Sequence, residues 1–197
     1  MLTVVCDAAP LITACKFVVE GTLIIDHLLS VCRLVITPRV EEEVAVLGAG
    51  YSDGVVAGER IARGELQVIP LAARRWAQHL TAYALGDGER DSIELCGQVE
   101  GVEALVTDDY LAFVAATRQS LKAWMLPDLV VELAAREEFA CEAAEAILTT
   151  IRPRYRRGVI EHSMARLQEV RDRAESRRTS QGGNSPGGGT SQGSRGE

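Results

Sequence analysis

Histidine is scarce in this sequence of 197 residues, and its three copies, His27, His79 and His162, lie far apart. Cysteine occurs five times, an odd number, in apolar surroundings and without a C-x-x-C pair. Neither residue type has the spacing that zinc sites require. We therefore expect no zinc, and we expect the cysteines to be buried reduced thiols.

Long apolar runs are also missing. The longest, within residues 22–29, is interrupted by Asp26 and His27 and is well short of the roughly 18 residues that a membrane-spanning helix needs. The first residues have no basic leader ahead of an apolar stretch, as a secretory signal would have. We expect a cytoplasmic protein with no membrane partner.

Positive charge is scarce in most of the chain. Residues 1–150 carry 11 Lys and Arg against 23 Asp and Glu, whereas residues 151–178 carry nine Arg against four acidic residues. An acidic body disfavours a protein that binds nucleic acid by neutralising many phosphates, unless metal ions supply positive charge locally. The length, with 47% hydrophobic and 25% charged residues, is typical of one well-filled core.

Short apolar and β-branched runs alternate with longer segments in which apolar residues have helical spacing. The runs are Thr3–Cys6, Leu34–Thr37, Leu66–Ile69, Ala104–Thr107 and Leu121–Met125. This alternation predicts an α/β fold in which crossover helices cover both faces of a parallel sheet. Pro38 and Pro127 mark helix starts, because proline suits the first turn. Gly48, Gly50 and Gly54 predict a loop before the next helix.

The strand signal ends after about Glu138, and the rest of the chain divides into two parts. Residues 139–178 predict a helical extension with helices near 140–150 and 156–175, the second of which carries the arginines. Residues 179–197 hold seven glycines and no large apolar side chain, which predicts a disordered tail. The predicted sheet domain therefore spans residues 1–138.

Acidic residues directly follow two of the predicted strands. Asp7 comes after the first strand, and Asp108 and Asp109 come after the fourth. In an open parallel sheet, the carboxyl ends of the strands border the crevice in which ligands bind. We expect Glu43, on the helix after the second strand, and Glu89, at a helix start after a glycine-rich turn, to lie near the same edge.

Carboxylates that share a pocket raise one another's pKa, so such a cluster needs protonation or a bound cation. Oxygen ligands favour Mg²⁺ or Mn²⁺, and the predicted chemistry is metal-assisted hydrolysis of a phosphodiester bond. Taken alone, Asp7 would more often be a helix cap than a ligand. Asp108 and Asp109 are nearly equal candidates, because a shift of one residue at a strand end reverses which side chain enters the crevice.

Other acidic residues near these positions have simpler interpretations. Glu41 and Glu42 are expected to form a solvated helix face, and so are Asp91 and Glu94. Asp91 lies close enough to Glu89 in sequence to be a reserve ligand.

The acids stand in motifs that resemble those of PIN domains and, within them, the VapC-like toxins and their relatives. VVCDAAPLI looks like the strand-end motif of the family, which places the first acid at Asp7. VITPRVEEEV is similar to the segment in which an acid follows a valine by three residues, which is Glu43 here. LGDGERDSIELC resembles the helix start with the third acid, Glu89, and LVTDDYLAFVAA resembles the strand end with the fourth, Asp109 beside Asp108.

The resemblance covers roughly residues 1–138 and implies a small three-layer α/β/α sandwich with a central parallel sheet. It implies an endoribonuclease that depends on Mg²⁺ or Mn²⁺ and hydrolyses an RNA substrate. The implied catalytic and metal-binding residues are Asp7, Glu43, Glu89 and Asp109, with Asp108 as a further metal ligand. Frequent homodimers are also implied, and in toxin–antitoxin pairs an antitoxin protein often occupies the active site.

Two positions depart from the family pattern. Ala9 replaces a serine whose hydroxyl would hydrogen-bond near the metal, and Phe113 stands where relatives often carry an arginine. These departures keep open the alternative of a catalytically silent PIN-fold protein that binds RNA or a protein partner. A phosphatase of the D-x-D type is disfavoured, because Ala9 occupies the position of the second Asp.

The arginine-rich segment after residue 151 lies outside the family motifs. Arg154, Arg156 and Arg157 are candidates to bind RNA phosphates. The alternative is that this amphipathic helix pairs with an acidic surface of another copy of the chain.

Overall fold

The structure is a computed structural model that describes residues 1–182, and their side chains up to Arg177. Its strands are β1 (Leu2–Cys6), β2 (Val18–Val19), β3 (Thr22–Leu23), β4 (Cys32–Ile36), β5 (Gln67–Val68), β6 (Val102–Val106) and β7 (Ala123–Trp124). Its helices are α1 (Ala8–Lys16), α2 (Ile24–Val31), α3 (Pro38–Glu41), α4 (Ser52–Ala62), α5 (Ala77–Leu80), α6 (Asp87–Cys96), α7 (Tyr110–Arg118), α8 (Leu126–Ala135), α9 (Cys141–Ile151) and α10 (Arg157–Gly182). A π-helical turn (Glu42–Val46) continues α3, and a 3₁₀ turn (Arg152–Arg154) follows α9.

Five strands form one parallel sheet in the order β5-β4-β1-β6-β7, with β1 at its centre. Successive side chains of a strand point to opposite faces. Val4 and Cys6 enter a core cluster with α1, α2, α8 and α9, whereas Val5 enters a second cluster with α6 and α7. Helices therefore cover both faces of the sheet, and the predicted α/β/α sandwich is confirmed.

All five predicted strands are present, but the sequence analysis missed a short hairpin at the side of the sheet. Val18–Val19 pairs with Thr22–Leu23 in antiparallel register. Glu20 and Gly21 form its turn, with φ angles of 51° and 82°. Two-residue strands are too short to produce an alternating hydrophobic pattern, so no sequence signal marked them.

The predicted loop at Gly48, Gly50 and Gly54 is wrong at its end, because α4 begins at Ser52. Gly54 lies in the first turn of α4, where a Cβ atom would be only 2.1 Å from the carbonyl oxygen of Gly48. A Cβ on Gly48 would lie 2.0 Å from the carbonyl oxygen of Val44. These two glycines permit a close approach of backbones between the π-helical turn and α4.

The C-terminal extension packs onto the sheet domain. Ile147 and Ile151 of α9 and Ile160 and Leu167 of α10 belong to the same core cluster as the central strand. The predicted boundary at residue 138 lies in the turn between α8 and α9. Helix α10 continues through residues 179–182 of the predicted tail, and residues 183–197 lie outside the described part of the chain.

Two further expectations are tested by the described residues. All five cysteines are free thiols, of which four are buried as predicted and Cys141 is half-buried. Among the helices of residues 1–182, none combines the length and the apolar character needed to cross a membrane.

Candidate active site

Asp7 is the first residue after β1 and caps the N-terminus of α1. Its N–H donates to the carbonyl oxygen of Val106 at 2.9 Å, which extends the pairing of β1 with β6. Its Oδ1 accepts a hydrogen bond of 2.9 Å from the N–H of Ala8. The residue is only 5% exposed. Asp7 is thus a helix cap, and it also carries a buried carboxylate at the carboxyl edge of the sheet.

Thr107, the residue after β6, joins Asp7 to Asp109. Its hydroxyl donates to Oδ2 of Asp7 at 2.9 Å. The hydroxyl oxygen of Thr107 also accepts a hydrogen bond of 3.2 Å from the N–H of Asp109. Since Thr107 is fully buried, its side chain fixes the relative position of two acids that come from distant parts of the chain.

Asp109 caps α7 and faces the other acids. Its Oδ1 accepts a hydrogen bond of 2.8 Å from the N–H of Ala112, which leaves Oδ2 without a hydrogen bond among the described residues. Its charge acts on both Asp7 and Glu89 and raises their pKa values, although burial is the larger cause for each. The structure therefore brings Asp109 to the predicted cluster.

Asp108 points in a different direction. Its Oδ1 accepts a hydrogen bond of 3.4 Å from the N–H of Leu126, and its Oδ2 accepts one of 2.7 Å from the hydroxyl of Tyr155. Side chains of consecutive residues in an extended segment lie on opposite sides. The structure thus separates Asp108 from the other acids and places it against the C-terminal extension.

Glu43 and Glu89 lie on neighbouring helical segments. Glu89 is in the first turn of α6, where its Oε2 accepts a hydrogen bond of 2.6 Å from the N–H of Gly86. Glu43 is exposed on the π-helical turn, and its Oε2 would lie 3.4 Å from a Cβ placed on Gly88. The carboxylate of Glu43 therefore lies beside the residue that precedes Glu89. Single π-helical turns are frequent at functional sites.

The acids also affect one another electrostatically. Burial raises the pKa of the Asp7 carboxyl, its two hydrogen bonds oppose this rise, and the charges of Glu43 and Asp109 add to it. Burial also raises the pKa of Glu89, its backbone hydrogen bond opposes the rise, and Asp109 and Asp7 add to it. A bound cation at this edge would relieve the mutual repulsion of the four carboxylates.

The donor chemistry fits a hard divalent cation, because all four side chains offer carboxylate oxygens with free lone pairs. Within residues 1–182, however, no group of three or more His, Cys, Asp or Glu side chains is spaced to hold a metal ion. The described side-chain positions therefore do not form a ready-made metal site.

Glu94 and Asp91 differ from their predicted solvated state. Glu94 is 2% exposed, and its carboxylate accepts hydrogen bonds from the N–H groups of Arg75 at 2.6 Å and Trp76 at 2.9 Å. The prediction was wrong for Glu94 because the segment before α5 folds over α6, and its part-buried N–H groups need acceptors. Asp91 pairs with Arg74 at 2.7 Å, so it is engaged away from the four acids.

The three arginines predicted to bind RNA differ in their surroundings. Arg154 donates from Nε to Oγ1 of Thr13 at 3.4 Å and lies close enough to Asp108 to oppose the rise that burial causes in its pKa. Arg157 forms an ion pair with Glu161, one helical turn away. Arg156 is exposed and has no ion pair among the described residues.

A groove of about 770 Å³ lies elsewhere, between the turn that follows α8 and residues 170–177 of α10. None of the four acids lines it. The acidic site is therefore not part of this cavity.

A family model described as "DUF3368: PIN domain" matches residues 3–170, which includes most of the helical extension. No curated protein matches the chain. Among solved structures, the chain is similar to a domain of a functionally unknown protein from Methanocaldococcus jannaschii DSM 2661. The two share 15% identity with a TM-score of 0.41, over 64% of this chain and 91% of the other.

Proposed function

This chain belongs to the PIN domain family, and we propose that it is a divalent-metal-dependent endoribonuclease that hydrolyses phosphodiester bonds of RNA. One observation carries the proposal: at the carboxyl edge of the sheet, the hydroxyl of Thr107 joins Asp7 to Asp109, and Glu43 and Glu89, from two other segments, lie near them. Glu43 is close enough to Asp7 for its charge to raise the pKa of Asp7, and Asp109 and Asp7 likewise raise the pKa of Glu89, although burial is the larger cause for both. Ligands of open α/β sheets bind at this edge.

In the proposed site, the four acids bind Mg²⁺ or Mn²⁺. When bound, the cation supplies a nucleophilic water at neutral pH and stabilises charge on the phosphate and the leaving oxygen. Asp7 and Asp109 are the fixed ligands, because each caps a helix and both contact Thr107. The side chain of Glu43 has no hydrogen bond among the described residues, which leaves its carboxylate free to accept the proton of the attacking water.

The RNA backbone, in this proposal, passes over the arginine-bearing segment. Arg154 lies next to Asp108, so this segment begins beside the acidic edge. Arg156 is exposed and free of ion pairs in the described part of the chain, which suits a contact with phosphate. Arg157 is the weakest of the three candidates, because Glu161 already pairs with it.

Cleavage of RNA by the full chain, with and without Mn²⁺, tests the proposal. Asp7→Asn, Asp109→Asn and Glu43→Gln should each lower the cleavage rate by at least about 100-fold, since each removes a ligand charge. Glu41→Gln is the matched control, because Glu41 directly precedes the π-helical turn that carries Glu43, and its side chain has no hydrogen bond or ion pair among the described residues. Asp7→Asn activity equal to that of the wild type would contradict the proposal.

The second candidate is a PIN-fold protein that binds RNA or a protein partner without cleaving it. Ala9 and Phe113 support it, because neither side chain provides the polar group that relatives carry at its position. The same assay separates the two candidates. Tight RNA binding without cleavage in Mg²⁺ or Mn²⁺, over substrates of varied sequence, favours the silent protein.

A toxin role and a homodimer are finer parts of the proposal. Val46, Leu47, Tyr51 and Val55, around the start of α4, expose between 50% and 73% of their surface, which favours burial against a second copy of the chain. Sedimentation should give a dimer for the wild type and a monomer for Leu47→Glu.

For the toxin role, expression of the wild type in a bacterial cytoplasm should stop growth, whereas expression of Asp7→Asn should not. An antitoxin protein should bind over the acidic edge.

A further inference from the structure

The segment Thr107–Asp109 is held from two opposite sides. On one side, Thr107 contacts Asp7, the first residue after the central strand. On the other, Asp108 accepts hydrogen bonds from the N–H of Leu126, at the start of α8, and from the hydroxyl of Tyr155. Rotation of the backbone at these residues would break one set of contacts or the other.

Tyr155 is a firm anchor for this segment. Its ring is packed against the first core cluster, and its N–H donates to the carbonyl oxygen of Arg152 at 3.3 Å. The hydroxyl meets Asp108 at 2.7 Å across a sequence separation of 47 residues. Hydrogen bonds to a charged acceptor are stronger than those between neutral groups. The C-terminal extension thus fixes the end of β6 through one side chain.

We propose that Tyr155 is a positioning residue for the metal site. By holding Asp108, it sets the backbone orientation of the next residue and directs the free oxygen of Asp109 towards the other three acids. The inference rests on the proposed function, because it assigns Tyr155 a role only through the metal-binding role of Asp109. Because Tyr155 lies in the C-terminal extension, this role would make the extension necessary for the geometry of the site.

Mn²⁺ affinity tests the proposal without relying on catalysis. The free ion is counted by electron paramagnetic resonance during titration of the full chain, and RNA cleavage is measured in parallel. Tyr155→Phe removes one hydroxyl and should weaken Mn²⁺ binding by about 10- to 100-fold, the loss typical of residues that orient metal ligands. The kcat for RNA should fall more than KM rises, and excess Mn²⁺ should restore cleavage.

Two further variants separate positioning from a general loss of stability. Tyr83→Phe is the control, because Tyr83 packs against the second core cluster and its hydroxyl has no hydrogen bond among the described residues. It should leave Mn²⁺ affinity unchanged. The double variant Asp108→Asn/Tyr155→Phe should lose no more affinity than Asp108→Asn alone, because the tyrosine acts through that carboxylate.

The outcomes distinguish the two proposals. If the wild type binds Mn²⁺ and Tyr155→Phe binds it equally well, even with a lower melting temperature, the positioning role is overturned and the nuclease proposal stands. The positioning role is also overturned if the double variant loses more Mn²⁺ affinity than Asp108→Asn alone, by the factor that Tyr155→Phe loses on its own. A wild type that binds no Mn²⁺ and cleaves no RNA overturns both proposals together.

Discussion

The hydroxyl of Thr107 donates a hydrogen bond of 2.9 Å to the carboxylate of Asp7, across a separation of 100 residues. The same hydroxyl oxygen accepts the N–H of Asp109. One buried side chain therefore aligns two strand-end acids before any ligand binds. Because both groups are already ordered, a cation would meet a partly preorganised site.

Thr107→Val tests this alignment. Valine preserves the shape of threonine but removes both hydrogen bonds, so we expect a loss of about 1–3 kcal/mol in the free energy of unfolding, since a buried carboxylate loses a donor. RNA cleavage should fall by at least about tenfold. Thr107→Ser is the matched control and should retain most of both properties. If Thr107→Val cleaves RNA as fast as the wild type, the alignment has no role in the site.

Asp7→Asn should raise the stability of the protein without divalent ions, but it should reduce the stabilisation that Mn²⁺ provides. Burial and the neighbouring acids raise the pKa of Asp7 in the folded state, so ionisation disfavours folding. This penalty is absent below the unfolded pKa of about 4, grows as the pH rises and is complete above the folded pKa. Without divalent ions, Asp7→Asn should therefore be the more stable protein at pH 7, and its advantage should disappear towards pH 4.

Mn²⁺ should reverse that order at pH 7. A ligand that binds only the folded state raises the melting temperature. The ion should therefore raise the melting temperature of the wild type and change that of Asp7→Asn little. Thermal scans with and without Mn²⁺ measure both effects. A wild type less stable than Asp7→Asn at both pH 4 and pH 7, by the same amount, would rule out the ionisation of Asp7 as the cause.

Gly54→Ala and Gly58→Ala should change stability in opposite directions. Both glycines lie in α4, but a Cβ on Gly54 would overlap the backbone of Gly48, whereas a Cβ on Gly58 would lie 3.9 Å from the Cβ of Ala45. We expect Gly54→Ala to lose about 1–3 kcal/mol or more. Gly58→Ala should gain about 0.5–1 kcal/mol, because alanine is the better helix former. Urea denaturation of both variants measures the difference.

Arg156→Ala should weaken RNA binding more than Arg157→Ala does. Arg156 is exposed and has no ion pair among the described residues, whereas Arg157 pairs with Glu161. Each arginine that contacts a phosphate contributes about one unit to the slope of log affinity against log salt concentration. Binding to a noncleavable RNA at several salt concentrations should show a reduced slope for Arg156→Ala. Identical slopes for both variants would place the RNA elsewhere.

Much of the fold was predictable because it depends on local patterns. The β-branched runs marked the five strands of the sheet, and Pro38 and Pro127 lie in the first turns of α3 and α8 as predicted. The strand-end positions of Asp7 and Asp109 followed from the same runs. Gly54 was misread, because a glycine needed for close packing has the same sequence signal as one in a loop.

Contacts between distant segments were not predictable. Glu94 is buried because the segment before α5 folds onto α6, and its charge alone suggested a solvated face. Tyr155 stood among arginines, and no motif connected it with Asp108. Such pairs arise from packing of whole elements, which a periodicity analysis does not describe.

The sequence by itself determined the α/β alternation, the strand-end acids and the family to which they belong. Only the tertiary structure shows that the side chains of Asp108 and Asp109, which are adjacent and chemically identical, have different partners. The difference depends on backbone direction after β6, where alternate side chains take opposite sides. Thr107 and Tyr155 fix that direction from the two sides, and both contacts exist only once the sheet and the C-terminal extension have packed together.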